Sequence, residues 1–158
     1  MEHTHNHNHE HEHEHEHCCC GCGETPSITL TAEETAFLTR LAHTPFLEVA
    51  SFSMKSSRSA HIEAVALAPV HLSDEQAAMA EVKKTAVMLK TLYDYGLIDI
   101  DYDLPVAGSD YSLYRNSVVY KSLVDTIEEG KSKEGFLFDM PHMDCGSISL
   151  TELGRQVL

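Results

Sequence analysis

The sequence predicts a mixed α+β domain preceded by a disordered tail. Apolar residues recur at helical spacing in two long segments, and apolar and acidic residues alternate between residues 97 and 103, as in a half-buried strand. Residues 1–23 contain almost no apolar side chains, and so polar a segment cannot repay the entropy of ordering. The 158 residues suffice for one domain with a modest core. We therefore predict a tail over 1–23 and a single domain over 24–158.

The first part of the domain is predicted to contain two helices, a loop and a strand. Thr31 and Glu34 have the spacing of a capping box, and the apolar residues after them predict a helix over 31–43. A second, short helix is predicted over 46–54, followed by a serine-rich loop. The apolar residues over 61–70 predict a strand.

The longest predicted element is a helix over 73–95, of about six turns. Ser73 and Gln76 have the spacing of a second capping box, and Gly96 supplies the stop signal. Its apolar residues repeat at helical spacing: Val82, Ala86, Leu89, Leu92 and Tyr93. The alternation over 97–103 then predicts a strand.

The last part of the chain is predicted to hold a helix and a strand pair. Residues 111–129 have weak helical periodicity, and residues 136–138 and 147–150 are predicted to pair as strands around a hairpin tip at 141–146. Thr151 is predicted to cap a final helical turn.

This order of elements resembles a winged-helix (helix-turn-helix) domain. Two phrases carry the resemblance: Gly96-Leu-Ile98 after the long helix, and Leu150-Thr-Glu-Leu-Gly154 in the return strand. In that family the first phrase leads into the wing and the second closes it. The helix predicted over 111–129 lies between them, so the resemblance implies a winged-helix-like domain with an inserted helix in the wing.

The resemblance also implies that the long helix contacts DNA. Lys83 and Lys90 are seven positions apart on one face, with Lys84 beside them, which makes these lysines the candidate DNA-binding residues. The alternative is a solvated helix face, favoured by the acidic residues of the same helix. The net charge of −14 also opposes contact with phosphate backbones unless basic residues cluster.

The tail is dense in metal-ligating residues. Eight histidines occupy every odd position from 3 to 17, and four cysteines follow closely. The candidate metal ligands are His3, His5, His7, His9, His11, His13, His15, His17, Cys18, Cys19, Cys20 and Cys22. Imidazole and thiolate are the ligands that zinc and nickel accept. Both an extended chain and a helix would bring histidines to one side, so the spacing predicts binding of Ni²⁺ or Zn²⁺ in either conformation.

The tail resembles the histidine-rich tails of nickel- and zinc-handling proteins, such as hydrogenase and urease accessory factors and SlyD-type prolyl isomerases. Two other interpretations remain open. Purification tags also place a histidine-rich run after an initiator methionine. A tail of this composition can also bind metal incidentally, without a physiological role.

Other candidate sites are incomplete. Asp99, Asp101 and Asp103 imitate the start of a calcium loop, but the glycine and glutamate that complete such a loop are absent. His142 and Cys145 have metal-ligand chemistry at a three-residue interval in the predicted hairpin tip, where two ligands alone are too few. We find no GxSxG or HExxH motif, and we do not expect an enzyme.

The sequence thus favours a non-catalytic metal-binding protein that sequesters or senses transition-metal ions through its tail. The alternative is a winged-helix transcriptional regulator whose DNA affinity responds to metal. We expect a cytoplasmic protein with reduced thiols, because the chain has neither a long apolar segment nor a secretory signal. We also expect its domain to dock to a partner protein or to form a homodimer. The first function is favoured because the ligands can be counted in the sequence, whereas a DNA-binding surface cannot.

Overall fold

The structure is a computed structural model that describes residues 27–158; the tail predicted over 1–23 lies outside the described residues. The domain is mixed α+β, as predicted, with a four-stranded antiparallel sheet in the order β2-β1-β4-β3. The elements in chain order are α1 (Ala32–His43), β1 (Leu47–Ser56), β2 (Ser59–Val70), α2 (Met79–Asp94), β3 (Ile98–Asp101), α3 (Ser112–Arg115), α4 (Val118–Gly130), β4 (Met140–Leu150) and α5 (Glu152–Gln156). The sheet is curled, so that α2 packs against both of its edge strands.

Two of the predicted helix caps are confirmed. Thr31 and Glu34 form the capping box of α1, in which the Glu34 N–H donates to Thr31 Oγ1 and the Thr31 N–H donates to the Glu34 carboxylate. At the other end of the chain, Thr151 Oγ1 accepts a hydrogen bond from the Gly154 N–H at 3.0 Å and caps α5. Each bond satisfies a backbone donor that the helix itself leaves without an acceptor.

The prediction of a short helix over 46–54 is wrong, because these residues form the central strand β1. β1 pairs with β2 on one side and with β4 on the other, so both of its edges are hydrogen-bonded. Side chains on both of its faces are buried, with Val49 on one face and Phe52 on the other. The predicted serine-rich loop is reduced to the turn of Ser57 and Arg58.

Three further boundaries differ from the predictions. The second capping box is wrong, because Asp74 rather than Ser73 accepts the Gln76 N–H, at 2.9 Å, and α2 begins only at Met79. The helix predicted over 111–129 is divided into α3 and α4, and Ser117 caps the second of them. The predicted strand pair is wrong as well, because residues 140–150 form the single strand β4.

The two phrases that carry the winged-helix resemblance meet in space. Gly96 has φ +72°, which ends α2, and the chain continues directly into β3. Thr151 Oγ1 donates to the Gly96 carbonyl at 2.6 Å, and the Thr151 N–H donates to the Leu97 carbonyl at 3.1 Å. The Gly154 Cα lies so close to the Leu97 carbonyl that no Cβ fits between them. The end of α2 and the start of α5 therefore form one tightly packed junction.

Buried side chains form two clusters. The first joins α1, the second half of α2 and β3 to one face of the sheet, through residues such as Leu38, Leu89 and Ile148. The second joins α3, α4 and the start of α2 to the other face, through residues such as Phe52 and Tyr114.

Candidate functional site

The predicted metal ligands of the tail lie outside the described residues. Within residues 27–158 no three His, Cys, Asp or Glu side chains come together as a metal-binding group. Three of the histidines in this part of the chain, His43, His71 and His142, have partners for their ring nitrogens. His43 Nδ1 lies 2.8 Å from the Thr39 carbonyl, and His142 Nε2 lies 2.9 Å from Asp144 Oδ1.

His142 and Cys145 do not form a pair of ligands. Both lie in the regular part of β4, where they pair with Ser53 and Ala50 of β1, and not in a hairpin tip. Side chains three positions apart on a strand lie on opposite faces. Cys145 packs into the cluster that contains Phe52, and burial raises the pKa of its thiol, which therefore stays protonated and is a poor metal ligand.

The three candidate lysines of α2 are exposed, but they do not act as one patch. Lys84 Nζ lies 2.9 Å from Glu33 Oε1 of α1, so its charge is paired. Lys83 and Lys90 lie on another side of α2, with the exposed Val87 between them. Asp94 continues this face of α2 and carries the opposite charge. Lys83 and Lys90 are therefore the two lysines of α2 whose charge is available to a polyanion.

The groove between α1 and α2 brings charged side chains above an apolar floor. It has a volume of about 540 Å³ and is lined by Glu33, Ala36, Phe37 and Arg40 of α1, by His71 and Ser73, and by Glu81, Lys84, Thr85 and Met88 of α2. The lining residues of each helix are spaced by three and four positions, which is the spacing of one helix face. Each of the two helices thus contributes one of its faces to the groove.

At one end of the groove, Arg40 and His71 are in contact. His71 Nδ1 lies 2.7 Å from the Glu48 carbonyl, and its Nε2 lies 3.4 Å from Arg40 Nη1. A carbonyl only accepts and a guanidinium only donates, so the ring must be neutral, with its proton on Nδ1. Burial lowers the pKa of His71, and the charge of Arg40 lowers it further, in agreement with this tautomer. The ring also packs edge-on against Phe37, with 5.6 Å between the centroids.

Sequence reasoning missed this groove. Arg40 and His71 are 31 positions apart, and no motif links them. They meet because β1 and β2 form a hairpin that returns the chain to the end of α1. The only local signal is the spacing of Glu33, Phe37 and Arg40 along one face of α1, which also fits an ordinary amphipathic helix.

The acidic residues after α2 are exposed, as predicted. Asp99 and Asp101 lie on the edge strand β3, and Asp101 Oδ1 accepts the Asp103 N–H at 2.8 Å. Among the helices of residues 27–158, none has the length and apolar content needed to span a membrane.

Comparisons with known proteins add one structural likeness. No family model matches the chain, and no curated protein matches it. Among solved structures, the chain is similar to an uncharacterized protein from the hydrocarbon-degrading marine bacterium Alcanivorax borkumensis SK2. The two are 14% identical, the similarity covers 82% of this chain and 84% of the other, and the TM-score is 0.42.

Proposed function

We propose that this protein is a non-catalytic metal-binding protein that holds divalent transition-metal ions, Ni²⁺ or Zn²⁺, through its N-terminal segment. The observation that carries the proposal is the run of eight alternating histidines followed by four cysteines within residues 3–22. So many imidazoles and thiols in one segment can supply complete ligand sets for several ions.

The contacts within the folded domain support metal binding by the N-terminal segment rather than by the domain. Its histidines at positions 43, 71 and 142 are engaged in hydrogen bonds, and Cys145 is half-buried in a packed cluster. The glutamates between the histidines of the tail add negative charge, which raises the local concentration of cations. Metal uptake is therefore expected from the N-terminal segment and not from residues 27–158.

The test is native mass spectrometry of the full chain under reducing conditions, titrated with Ni²⁺ and with Zn²⁺. In the tail variant, the eight histidines from His3 to His17 become asparagine and the four cysteines from Cys18 to Cys22 become serine. The matched control variant replaces His43, His61 and His142 by asparagine and Cys145 by serine. We expect several ions on the native chain and on the control, and none bound tightly by the tail variant. Retention of metal by the tail variant would contradict the proposal.

A second candidate function is a winged-helix transcriptional regulator that binds DNA through α2. The packed junction between Gly96 and Thr151 favours it, because the resemblance places the helix–wing connection and the wing closure at these two phrases. Lys83 and Lys90 are the residues of α2 that would contact phosphates, since both are exposed.

DNA binding would be tested by fluorescence anisotropy of the full chain with a pool of random duplexes, at several salt concentrations and with or without Ni²⁺. Replacing Lys83 and Lys90 by alanine should reduce the slope of log affinity against log salt by about 2, since each lysine accounts for about one phosphate contact. The matched control replaces Lys121 and Lys133, which are also exposed. Absence of binding to any duplex would exclude this candidate, and equal effects of the two double variants would rule out the assignment to α2.

A further inference from the structure

We infer that the groove between α1 and α2 binds a small organic acid that has one carboxylate and an apolar body. This inference is independent of metal binding by the tail. It depends on the apolar lining of the groove, on the free N–H donors of the Arg40 guanidinium and on the charges around that guanidinium. Its volume of about 540 Å³ falls within the range of small-molecule sites, roughly 300–1,000 Å³.

Arg40 is the anchor for the carboxylate. Its side chain is exposed at the end of the groove, and no carboxylate of residues 27–158 forms a salt bridge with it. Its contact with His71 uses one Nη1 proton, and a guanidinium has five N–H donors. The remaining donors form the planar fork that binds a carboxylate in a bidentate manner.

The contacts of His71 hold this end of the groove in place. Its Nδ1 proton is used by the Glu48 carbonyl of β1, and its Nε2 lone pair faces Arg40. A neutral ring there adds no second positive charge. The guanidinium is thus positioned by a neutral neighbour that accepts from it and does not neutralise it, which leaves its charge available to a ligand.

The other charges in the groove select for a single negative charge. Lys84 is already paired with Glu33 at 2.9 Å, and Glu81 adds a carboxylate of its own to the lining. A dianion such as inorganic phosphate would face the Glu81 carboxylate, which is unpaired among residues 27–158, and would find one available guanidinium for its two charges. A monocarboxylate matches Arg40 alone, and its apolar body can cover the surface formed by Ala36, Phe37 and Met88.

The experiment is an NMR titration of the ¹⁵N-labelled full chain with 3-phenylpropionate, in the presence of EDTA and a reductant so that the tail holds no metal. The neutral analogue 3-phenylpropanol and inorganic phosphate are titrated in parallel. We expect saturable shifts of the Ala36, Thr85 and Met88 amides with a dissociation constant on the order of 1 mM or below, and at least tenfold weaker binding of both comparison compounds.

Substitutions at two positions of the groove locate the site. Arg40→Gln should weaken 3-phenylpropionate binding about tenfold or more, while Arg40→Lys should retain part of it and the control Arg155→Gln all of it. Ala36→Trp, at an exposed helical position, should block the groove with the guanidinium intact. The inference is overturned by an absence of saturable shifts at the groove, by equal binding of the alcohol or phosphate, or by undiminished binding to both Arg40→Gln and Ala36→Trp.

Discussion

Tyr114 connects three separate segments of the domain through one hydroxyl, and its replacement by phenylalanine should reveal what that connection contributes. The side chain is fully buried. Its hydroxyl accepts a hydrogen bond from the Leu72 N–H at 3.2 Å and donates one to the Glu48 carbonyl at 3.0 Å. Burial raises the pKa of Tyr114, so the hydroxyl stays protonated and keeps its donor.

The two partners of the hydroxyl are affected differently by Tyr114→Phe. The Glu48 carbonyl also accepts a hydrogen bond from His71 Nδ1 at 2.7 Å, so it keeps a partner. The Leu72 N–H has no second acceptor among the described residues, and Leu72 itself is buried. One buried donor without an acceptor costs about 1–3 kcal/mol. We therefore expect a decrease of about 2 kcal/mol in the free energy of unfolding, and not the sum for two lost hydrogen bonds.

The measurement is equilibrium unfolding of the full chain in urea, with EDTA and a reductant. The native chain and the variants should share the same m-value, which is the slope of the unfolding free energy against urea concentration. Tyr120→Phe is the matched control, because Tyr120 belongs to the same cluster but its hydroxyl makes no hydrogen bond with residues 27–158. We expect the control to change the free energy of unfolding by less than about 0.5 kcal/mol. Equal effects of the two substitutions would refute the reasoning.

Two further predictions concern the junction and the groove. Gly154→Ala should lower the free energy of unfolding by about 1–3 kcal/mol, because the new Cβ would collide with the Leu97 carbonyl and the Leu150 side chain. Glu152→Ala, on the same helix, should change the free energy of unfolding little, and urea unfolding of both variants makes the comparison. Because burial lowers the pKa of folded His71 below 6.5, unfolding takes up a proton at acidic pH, so this histidine should reduce stability as the pH falls through 6.5 and leave it unchanged above. The pH dependence of unfolding between 7.5 and 5 should therefore be less steep in His71→Gln than in the native chain and in His43→Gln, with a difference of at most about 1.4 kcal/mol per pH unit. Parallel curves would contradict the lowered pKa of His71.

Features decided within three or four residues were predictable from the sequence. The caps at Thr31 and Thr151 are of this kind, because each threonine hydroxyl bonds a backbone N–H three positions ahead. The same pattern at Ser73 was misleading, because the neighbouring Asp74 takes the Gln76 N–H and holds the chain in a turn. A local motif therefore predicts a cap only where no adjacent side chain competes for the same donor.

Features decided by distant residues were not predictable. The strand β1 pairs with residues about a hundred positions away, such as Leu47 with Ile148, and nothing between residues 46 and 54 encodes that partner. The hairpin tip predicted at 141–146 begins with a proline and ends with a glycine, two residues that often mark turns. Pro141 instead lies at the exposed start of the strand, and Gly146 lies where a Cβ would collide with the backbone of Asp101 and Tyr102. The glycine is there because two strands approach closely.

The same distinction separates the two proposed binding sites. Metal ligands crowded into one segment are visible in the sequence, because chelation needs only the right donors within reach of one another. The groove depends on a hairpin that carries His71 back to Arg40, so its residues have no common signature in the chain. The domain histidines at positions 43, 71 and 142 are engaged in hydrogen bonds, and Arg40 is left with free donors. Metal and organic acid would therefore compete for no common side chain, and each can be removed by substitution without altering the ligands of the other.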